Sequence, residues 1–146
     1  GNHNLMDDAN VPSLLSLPYL RVCAKDDPLY LATRAFVLSS GNPYYSTGKY
    51  ARGIGSPHTP PGYIWHIALS IQAMTATDLD EVTEVVSMIL NTHADTGFMH
   101  EGFNPDDPAQ FTRPWFAWAN SLFGELIYRL YEAGTLPQVL EGLSSV

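Results

Sequence analysis

The residues best suited to acid–base chemistry are His100 and Glu101, which stand side by side in the segment "TGFMHEGFNPDDP", between Phe98 and Phe103. Removing a charged carboxylate from water costs several kcal/mol unless the carboxylate is paired or hydrogen-bonded. Glu101 is therefore expected either to lie at a hydrated edge or to be held by specific partners in a functional position. From the residues alone, a structural or capping role and a catalytic role both remain open.

Five histidines raise the question of a metal site, but their spacing does not match one. The His100–Glu101 pair is not followed by the second histidine of an H-E-x-x-H motif, because position 104 is an asparagine. His58 and His66 are eight residues apart and His93 and His100 are seven, and neither is a familiar spacing of zinc ligands. We therefore expect neither a metal site nor a cofactor.

Carboxylate chemistry on a sugar fits the composition of the loops better. Glycoside hydrolysis needs two carboxyl groups that flank one bond, in a pocket lined by aromatic faces and hydroxyl-binding side chains. Two long connections, at roughly residues 39–63 and 93–113, are expected to be functional, since unstructured loops of this length are uncommon in compact domains. The first holds five Gly, four Pro and four Tyr, together with Lys49, Arg52 and His58.

Composition and charge describe a globular chain and exclude some classes of partner. Of the 146 residues, 45% are hydrophobic and 15% charged, which predicts one domain with a real core. A net charge of −8 without a Lys/Arg cluster argues against nucleic acid as a partner. With Cys23 as the single cysteine, a disulfide within the chain is impossible. No apolar run approaches a membrane span and no signal peptide is visible, so the localisation stays open.

Periodicity and capping residues predict an all-α fold of about five helices. Asp27 and Pro28 form the expected start of one helix, and "DDPAQF" repeats that pattern at Asp107 and Pro108. Thr77 or Asp78 can cap another helix. The predicted helices cover a short segment at 11–20 that Pro18 would end, a helix from residue 28, and segments 64–74, 79–90 and 114–133. The last segment is apolar nearly all round and is expected to be buried on most sides.

Three long segments carry a specific resemblance that spans about residues 2–133. They are "DDANVPSLLSLPYL", "GNPYYSTGKYARGIGSPHTPPGYIWHIALSIQAMT" and "TGFMHEGFNPDDPAQFTRPWFAWANSLFGELI". Their order resembles the C-terminal part of glycoside hydrolase family 125, the metal-independent exo-α-1,6-mannosidases. The resemblance implies an (α/α)6 toroid, of which residues 1–146 would be the C-terminal portion without an internal boundary. It also implies that terminal mannose is removed from α-1,6 linkages with inversion.

The resemblance places the family's general base, a Glu in an H-E-x-F segment, on Glu101. For the mannose subsite we expect hydroxyl-binding side chains and an aromatic wall, with Arg52 best suited to a forked contact. The candidates for that wall are Tyr63, Trp65, Trp115 and Trp118, of which Trp118 fits the core better. The expected substrate-binding residues are Asp8, Arg52, His58, Tyr63, Trp65, His66, His100 and Trp115.

The general acid is expected to be an Asp that precedes Gly1, in a part of the enzyme outside this sequence. Twelve helices of about 11 residues with their loops require roughly 250 residues or more, so five helices make less than half a toroid. A chain without its complement should expose apolar helix faces and associate with itself, which light scattering would detect. The expected partner is a mannose-terminated α-1,6-linked oligosaccharide or N-glycan, with no nucleic acid and no membrane. Two alternatives are a non-catalytic carbohydrate-binding or interaction fragment and a folding product without a function of its own.

Overall fold

The computed structural model describes residues 4–144, which form five helices and two short antiparallel hairpins. The five-helix, all-α prediction is confirmed, and both predicted long connections contain a hairpin. The helices are α1 (Pro28–Val37), α2 (His66–Thr75), α3 (Leu79–Leu90), α4 (Ala117–Glu132) and α5 (Leu136–Leu143). The strands are β1 (Tyr45–Thr47), β2 (Arg52–Ile54), β3 (Gly102–Phe103) and β4 (Phe111–Thr112).

Two helix starts follow the capping chemistry that the sequence predicts. The Asp27 carboxylate accepts hydrogen bonds from the backbone N–H groups of Leu29 and Tyr30, with Pro28 at the first helical position. Asp78 caps α3 by accepting from the N–H of Asp80. Both helices therefore begin where a local side chain satisfies N–H groups that have no partner within the helix.

Helix α2 forms the centre of the core, because all ten of its residues are buried. It packs against α3 and α4, while α5 packs on α3. The α3–α5 contact is close, since a Cβ at Gly142 would lie 2.7 Å from Cγ2 of Thr83. Arg34 of α1 adds a polar link, donating to the carbonyl oxygen of Gln72 at 3.1 Å and to Glu81 Oε1 at 2.8 Å.

Within the described residues 4–144, helix α4 is buried along one stripe only. The expectation that this helix is buried on most sides is therefore wrong. Its buried residues are Ala119, Leu122, Leu126 and Leu130, spaced three or four apart as one helical face requires. Trp118, which we expected to fit the core better than a sugar wall, is 39% exposed. In the described part of the chain, no helix is long and apolar enough to cross a membrane.

The predicted helix at residues 11–20 is absent, and this segment forms a series of turns. The Asp7 carboxylate accepts hydrogen bonds from the N–H groups of Leu14 and Leu15. The hydroxyl oxygens of Ser13 and Ser16 each accept a hydrogen bond from the backbone N–H of the other residue. These side chains satisfy the backbone in a non-helical conformation, which is why such residues favour turns. The start predicted at 107–108 is also a turn, and the fifth helix is α5.

The residues just before α2 run between the two hairpins. The N–H of Trp65 donates to the carbonyl oxygen of Ile54 at 3.1 Å, and Ile64 exchanges two backbone hydrogen bonds of 2.9 Å with Phe103. In the second hairpin, Gly102 pairs with Thr112 and Phe103 with Phe111. The segment that contains His100 and Glu101 is therefore connected through the backbone to the start of the most buried helix.

Candidate functional site

Glu101 lies immediately before β3, where its backbone and side chain both contact the opposite strand. Its N–H donates to the carbonyl oxygen of Thr112 at 3.3 Å. Its Oε2 accepts from Thr112 Oγ1 at 3.1 Å and lies 3.2 Å from Nε of Arg113. The side chain is 12% exposed, so it is neither in the core nor free in solvent. Both contacts are made to the same carboxylate oxygen, and neither involves Oε1.

Arg113 is a partner of Glu101 that the sequence analysis missed. Its φ of 49° is unusual for a residue with a side chain, and all the more so before a proline, where extended conformations are preferred. The guanidinium carbon lies 5.5 Å from the centre of the Phe116 ring, in cation–π geometry. The side chain is 64% exposed. A strained backbone that aims a cation at a carboxylate is a pattern found at functional sites.

The ring of His100, the residue before Glu101, is fully buried and does not reach the surface. It stacks on Phe111, with ring centres 3.9 Å apart and an angle of 6° between the planes. Its Nδ1 lies 3.0 Å from the carbonyl oxygen of Pro114, and its Nε2 lies 3.2 Å from that of His93. A hydroxyl-binding role by direct contact does not fit this placement, because both ring nitrogens already face protein oxygens.

His66, at the start of α2, is equally buried and contacts the backbone of His100. Its Nδ1 accepts from the N–H of His100 at 2.8 Å, and its Nε2 lies 3.0 Å from Thr92 Oγ1. Burial, followed by the unfavourable interaction with the His100 ring, lowers the pKa of His66 to about 3. At neutral pH the ring is therefore uncharged. Direct contact with a sugar does not fit this residue either.

Trp65 lies behind β3, and the exposed His58 lies beside it. The indole is buried, its Nε1 donates to Thr59 Oγ1 at 2.9 Å, and a Cβ at Gly102 would lie 3.2 Å from the same nitrogen. Trp65 therefore does not offer a free ring face, in contrast to its expected place in an aromatic wall. The ring centres of His58 and Trp65 are 6.5 Å apart. Among these residues, His58 is the one available to a ligand.

Tyr63 and Thr59 both line a cavity of about 340 Å³. The cavity also contains Tyr44 and the hydroxyl-bearing Ser46 and Ser56. Thr59 connects it to the Glu101 region, because its Cγ2 lies 3.1 Å from the position of a Cβ at Gly102. An aromatic and hydroxyl-rich lining is the type of surface that binds sugars, and sequence reasoning had identified Tyr63 but not Ser56 or Thr59.

Trp115 is 60% exposed and lies two residues beyond Arg113. The chain around it runs beside the Glu101 segment, since the N–H of Phe116 donates to the carbonyl oxygen of Met99 at 3.2 Å. Trp115 therefore presents its indole to solvent on the segment that also supplies the cation beside Glu101. This placement is compatible with the expected wall role.

Asp8 and Arg52 make their described contacts away from Glu101. Asp8 Oδ1 accepts from the N–H and the amide nitrogen of Asn10, at 2.8 and 3.1 Å. Arg52 donates through one guanidinium nitrogen to Glu84 Oε2 on α3 at 2.6 Å, in a half-exposed ion pair. The neighbouring Asp7 is more deeply buried than Asp8, and burial raises the pKa of its carboxyl group.

Within residues 4–144, no group of three or more His, Cys, Asp or Glu side chains is arranged to hold a metal ion. The polar side chains around Glu101 instead form a hydrogen-bonding arrangement. A carboxylate held through one oxygen beside a guanidinium can accept a proton from a water molecule that reaches its other oxygen.

Comparison with known proteins gives a consistent result. Residues 1–128 match the family model of metal-independent alpha-mannosidases (GH125). The chain is 50% identical over 133 residues to the meiotically up-regulated gene 157 protein of Schizosaccharomyces pombe, covering 90% of the chain and 26% of that protein. It also matches a metal-independent alpha-mannosidase structure from Streptococcus pneumoniae, a non-productive substrate complex with α-1,6-mannobiose. That match has a TM-score of 0.84 and 47% identity, and it covers 99% of the chain and 31% of the other. The chain thus spans about a quarter to a third of these relatives.

Proposed function

Because the chain belongs to the metal-independent alpha-mannosidase family, glycoside hydrolase family 125, we propose that it carries the general base of an inverting exo-α-1,6-mannosidase. Glu101 is the proposed base. It would take a proton from the water molecule that attacks the anomeric carbon, on the face opposite the leaving group. The chain would also supply part of the mannose subsite.

The observation that carries this proposal is the one-sided anchoring of the Glu101 carboxylate. Thr112 and Arg113 both contact Oε2, which fixes the orientation of the group and compensates its charge. A base must be fixed in position and still have one oxygen within reach of water. A purely structural carboxylate in a hairpin would gain from having both oxygens hydrogen-bonded, so the arrangement favours the catalytic role.

Inversion also requires a general acid, with the two carboxyl groups about 6.5–9.5 Å apart so that water fits between them. We propose that this acid is an Asp from a part of the enzyme beyond this chain. The share of the pneumococcal relative that the chain covers, 31%, leaves ample sequence to supply it.

For the substrate we propose a terminal mannose in α-1,6 linkage, as in an oligosaccharide or N-glycan. Support comes from the pneumococcal relative, which was solved with α-1,6-mannobiose. Exposure divides the expected sugar-binding residues into two groups. His58, Tyr63 and Trp115 are accessible and are proposed to contact the sugar, with Asp8 and the half-exposed Arg52 as candidates at the edge. The buried Trp65, His66 and His100 are proposed to support the surface from behind.

Turnover should be tested in a chimera in which this chain replaces the matching part of the S. pneumoniae mannosidase. Proton NMR of mannose released from α-1,6-mannobiose should show the β-anomer first. Glu101→Gln should then lower kcat by about 100-fold to 10,000-fold, the usual contribution of a general base, while the mannoside still binds. Glu125→Gln is the matched control, because Glu125 is a partly exposed glutamate on α4 that pairs with Arg129 outside the proposed site. Unchanged turnover in Glu101→Gln would show that Glu101 is structural.

The isolated chain separates this proposal from a non-catalytic binding fragment. Titration with α-1,6-mannobiose, followed in a ¹H–¹⁵N spectrum, should shift signals of His58, Glu101 and Trp115. Binding by the chain together with a chimera that is insensitive to Glu101→Gln would favour the non-catalytic alternative.

A further inference from the structure

The two buried histidines form a connection from α3 to the residue that precedes the proposed base. Thr92 Oγ1 donates its single hydrogen to the carbonyl oxygen of Met88, in the last turn of α3, at 2.7 Å. Because that hydrogen is used, the 3.0 Å contact between Thr92 Oγ1 and His66 Nε2 must be donated by the histidine. His66 then carries its proton on Nε2.

The other nitrogen of His66 is consequently an acceptor, and its contact matches that role. Nδ1 receives the N–H of His100 at 2.8 Å. The carbonyl oxygen of His100 lies farther from Nδ1, at 3.3 Å, and a proton on Nδ1 could reach it only by giving up the shorter bond. A protonated His66 would place an N–H against the N–H of His100. The neutral Nε2–H tautomer is the form that satisfies both contacts.

Aromatic stacking restrains both rings from the side of the hairpin. Phe103 of β3 stacks on His66, with ring centres 4.6 Å apart, and Phe111 of β4 stacks on His100 at 3.9 Å. Both rings and Phe103 are fully buried. The backbone on the N-terminal side of Glu101 is thus held by α2 and α3, while its side chain is held by Thr112 and Arg113.

We propose that His66 is a positioning residue for Glu101, acting as a neutral acceptor that fixes the backbone N–H of His100. The inference rests on the proposed function for the catalytic role of Glu101, but the contacts themselves do not depend on it. Displacement of a reacting group by about 1 Å can lower the rate about 100-fold, so loss of a hydrogen bond that fixes the backbone next to the base should slow the reaction.

Two substitutions separate the acceptor role of His66 from its other contact. In His66→Asn, Oδ1 can take the place of Nδ1 and accept from the N–H of His100, although the side chain is too short to reach Thr92. In His66→Gln, the amide nitrogen can donate to Thr92 in place of Nε2, but no acceptor remains at the Nδ1 position. The two variants are alike in polarity and differ in which bond they keep.

The first readouts use the isolated chain and involve no sugar. Hydrogen exchange at the His100 amide should be at least about tenfold faster in His66→Gln than in the parent chain, and close to the parent rate in His66→Asn. The amide of Leu122, on α4, serves as a folding control. Equal acceleration in both variants would overturn the proposal. A long-range ¹H–¹⁵N spectrum of the unsubstituted chain should show His66 protonated on Nε2, and protonation on Nδ1 would overturn it even if a variant fails to fold.

Kinetics in the chimera then test the consequence for the base. His66→Gln should lower kcat about 100-fold with little change in KM, and His66→Asn should restore most of the lost rate. Equal losses in both variants, or a loss confined to KM, would overturn the positioning role. Failure of this proposal can be distinguished from failure of the proposed function. An unchanged rate in Glu101→Gln would overturn the proposed function. The tautomer of His66 and the exchange rate of the His100 amide would still report whether the hydrogen bond between these two residues exists.

Discussion

The depressed pKa of His66 predicts that the chain loses stability in mildly acidic solution. In the unfolded chain this histidine has an ordinary pKa of about 6.5, whereas burial lowers the pKa in the folded chain to about 3. Between these values the unfolded state binds a proton that the folded state does not. The free energy of unfolding therefore falls as the pH falls, with a limiting slope of about 1.4 kcal/mol per pH unit.

The magnitude follows from the two pKa values. Between pH 6 and pH 4 the protonation of His66 in the unfolded state should remove about 2.5 kcal/mol of stability. For a chain of this size that corresponds to roughly 5–10 °C in Tm. The loss is complete only when the pH reaches the folded pKa, near 3.

Urea unfolding, followed by circular dichroism from pH 7 to pH 4, measures this loss. His66→Asn is the matched variant, because it removes the titrating ring and can still accept from the N–H of His100. Other groups are present in both proteins and largely cancel, including Asp7, whose raised pKa acts in the opposite direction, and the neighbouring His93 and His100. The parent should lose about 2.5 kcal/mol more than the variant between pH 6 and pH 4. Parallel curves would refute the depressed pKa.

Two further predictions concern the backbone and the cation of the site. Arg113→Asn removes the guanidinium but keeps a residue that tolerates the left-handed conformation. Mannose release by the chimera should therefore fall about tenfold or more. An unchanged rate would show that Arg113 does not belong to the site. Gly55→Ala should destabilise the chain by about 3 kcal/mol or prevent folding, because its Cβ would overlap the carbonyl oxygen of Tyr63. Gly124→Ala is its control, since nothing lies within 4 Å of a Cβ there, and urea unfolding should show a stability unchanged or raised by up to about 1 kcal/mol.

The elements that the sequence predicts correctly are those controlled by local chemistry. Asp27 and Asp78 cap helices through N–H groups two or three residues away, and such contacts depend only on neighbouring residues. The spacing of apolar residues in α2 and α3 is local information of the same kind. The segment at 11–20 failed because its backbone is satisfied partly by Asp7, which the helical pattern does not reveal.

In the candidate site, too, the residues that could be predicted are those that depend on local sequence. Glu101 could be identified from its segment, and the family membership that the resemblance implied is confirmed. Arg113 could not be predicted as its partner, because the contact depends on the pairing of β3 with β4. His66 and His100 show the converse, since their position near a candidate base suggests hydroxyl binding in the sequence, whereas the fold buries both rings.

By itself, the sequence determined the helical class, the capped helix starts, the family and the identity of the candidate base, because each depends on neighbouring residues or on a long continuous motif. The tertiary structure alone decided which polar side chains face solvent and which hold the site from within. Burial and hydrogen-bond partners arise from segments far apart in the chain: Thr92, His66 and His100 meet only when α3, α2 and the second hairpin pack together. The same histidine is a ligand candidate in an exposed loop and a neutral acceptor in a core, and only packing distinguishes the two.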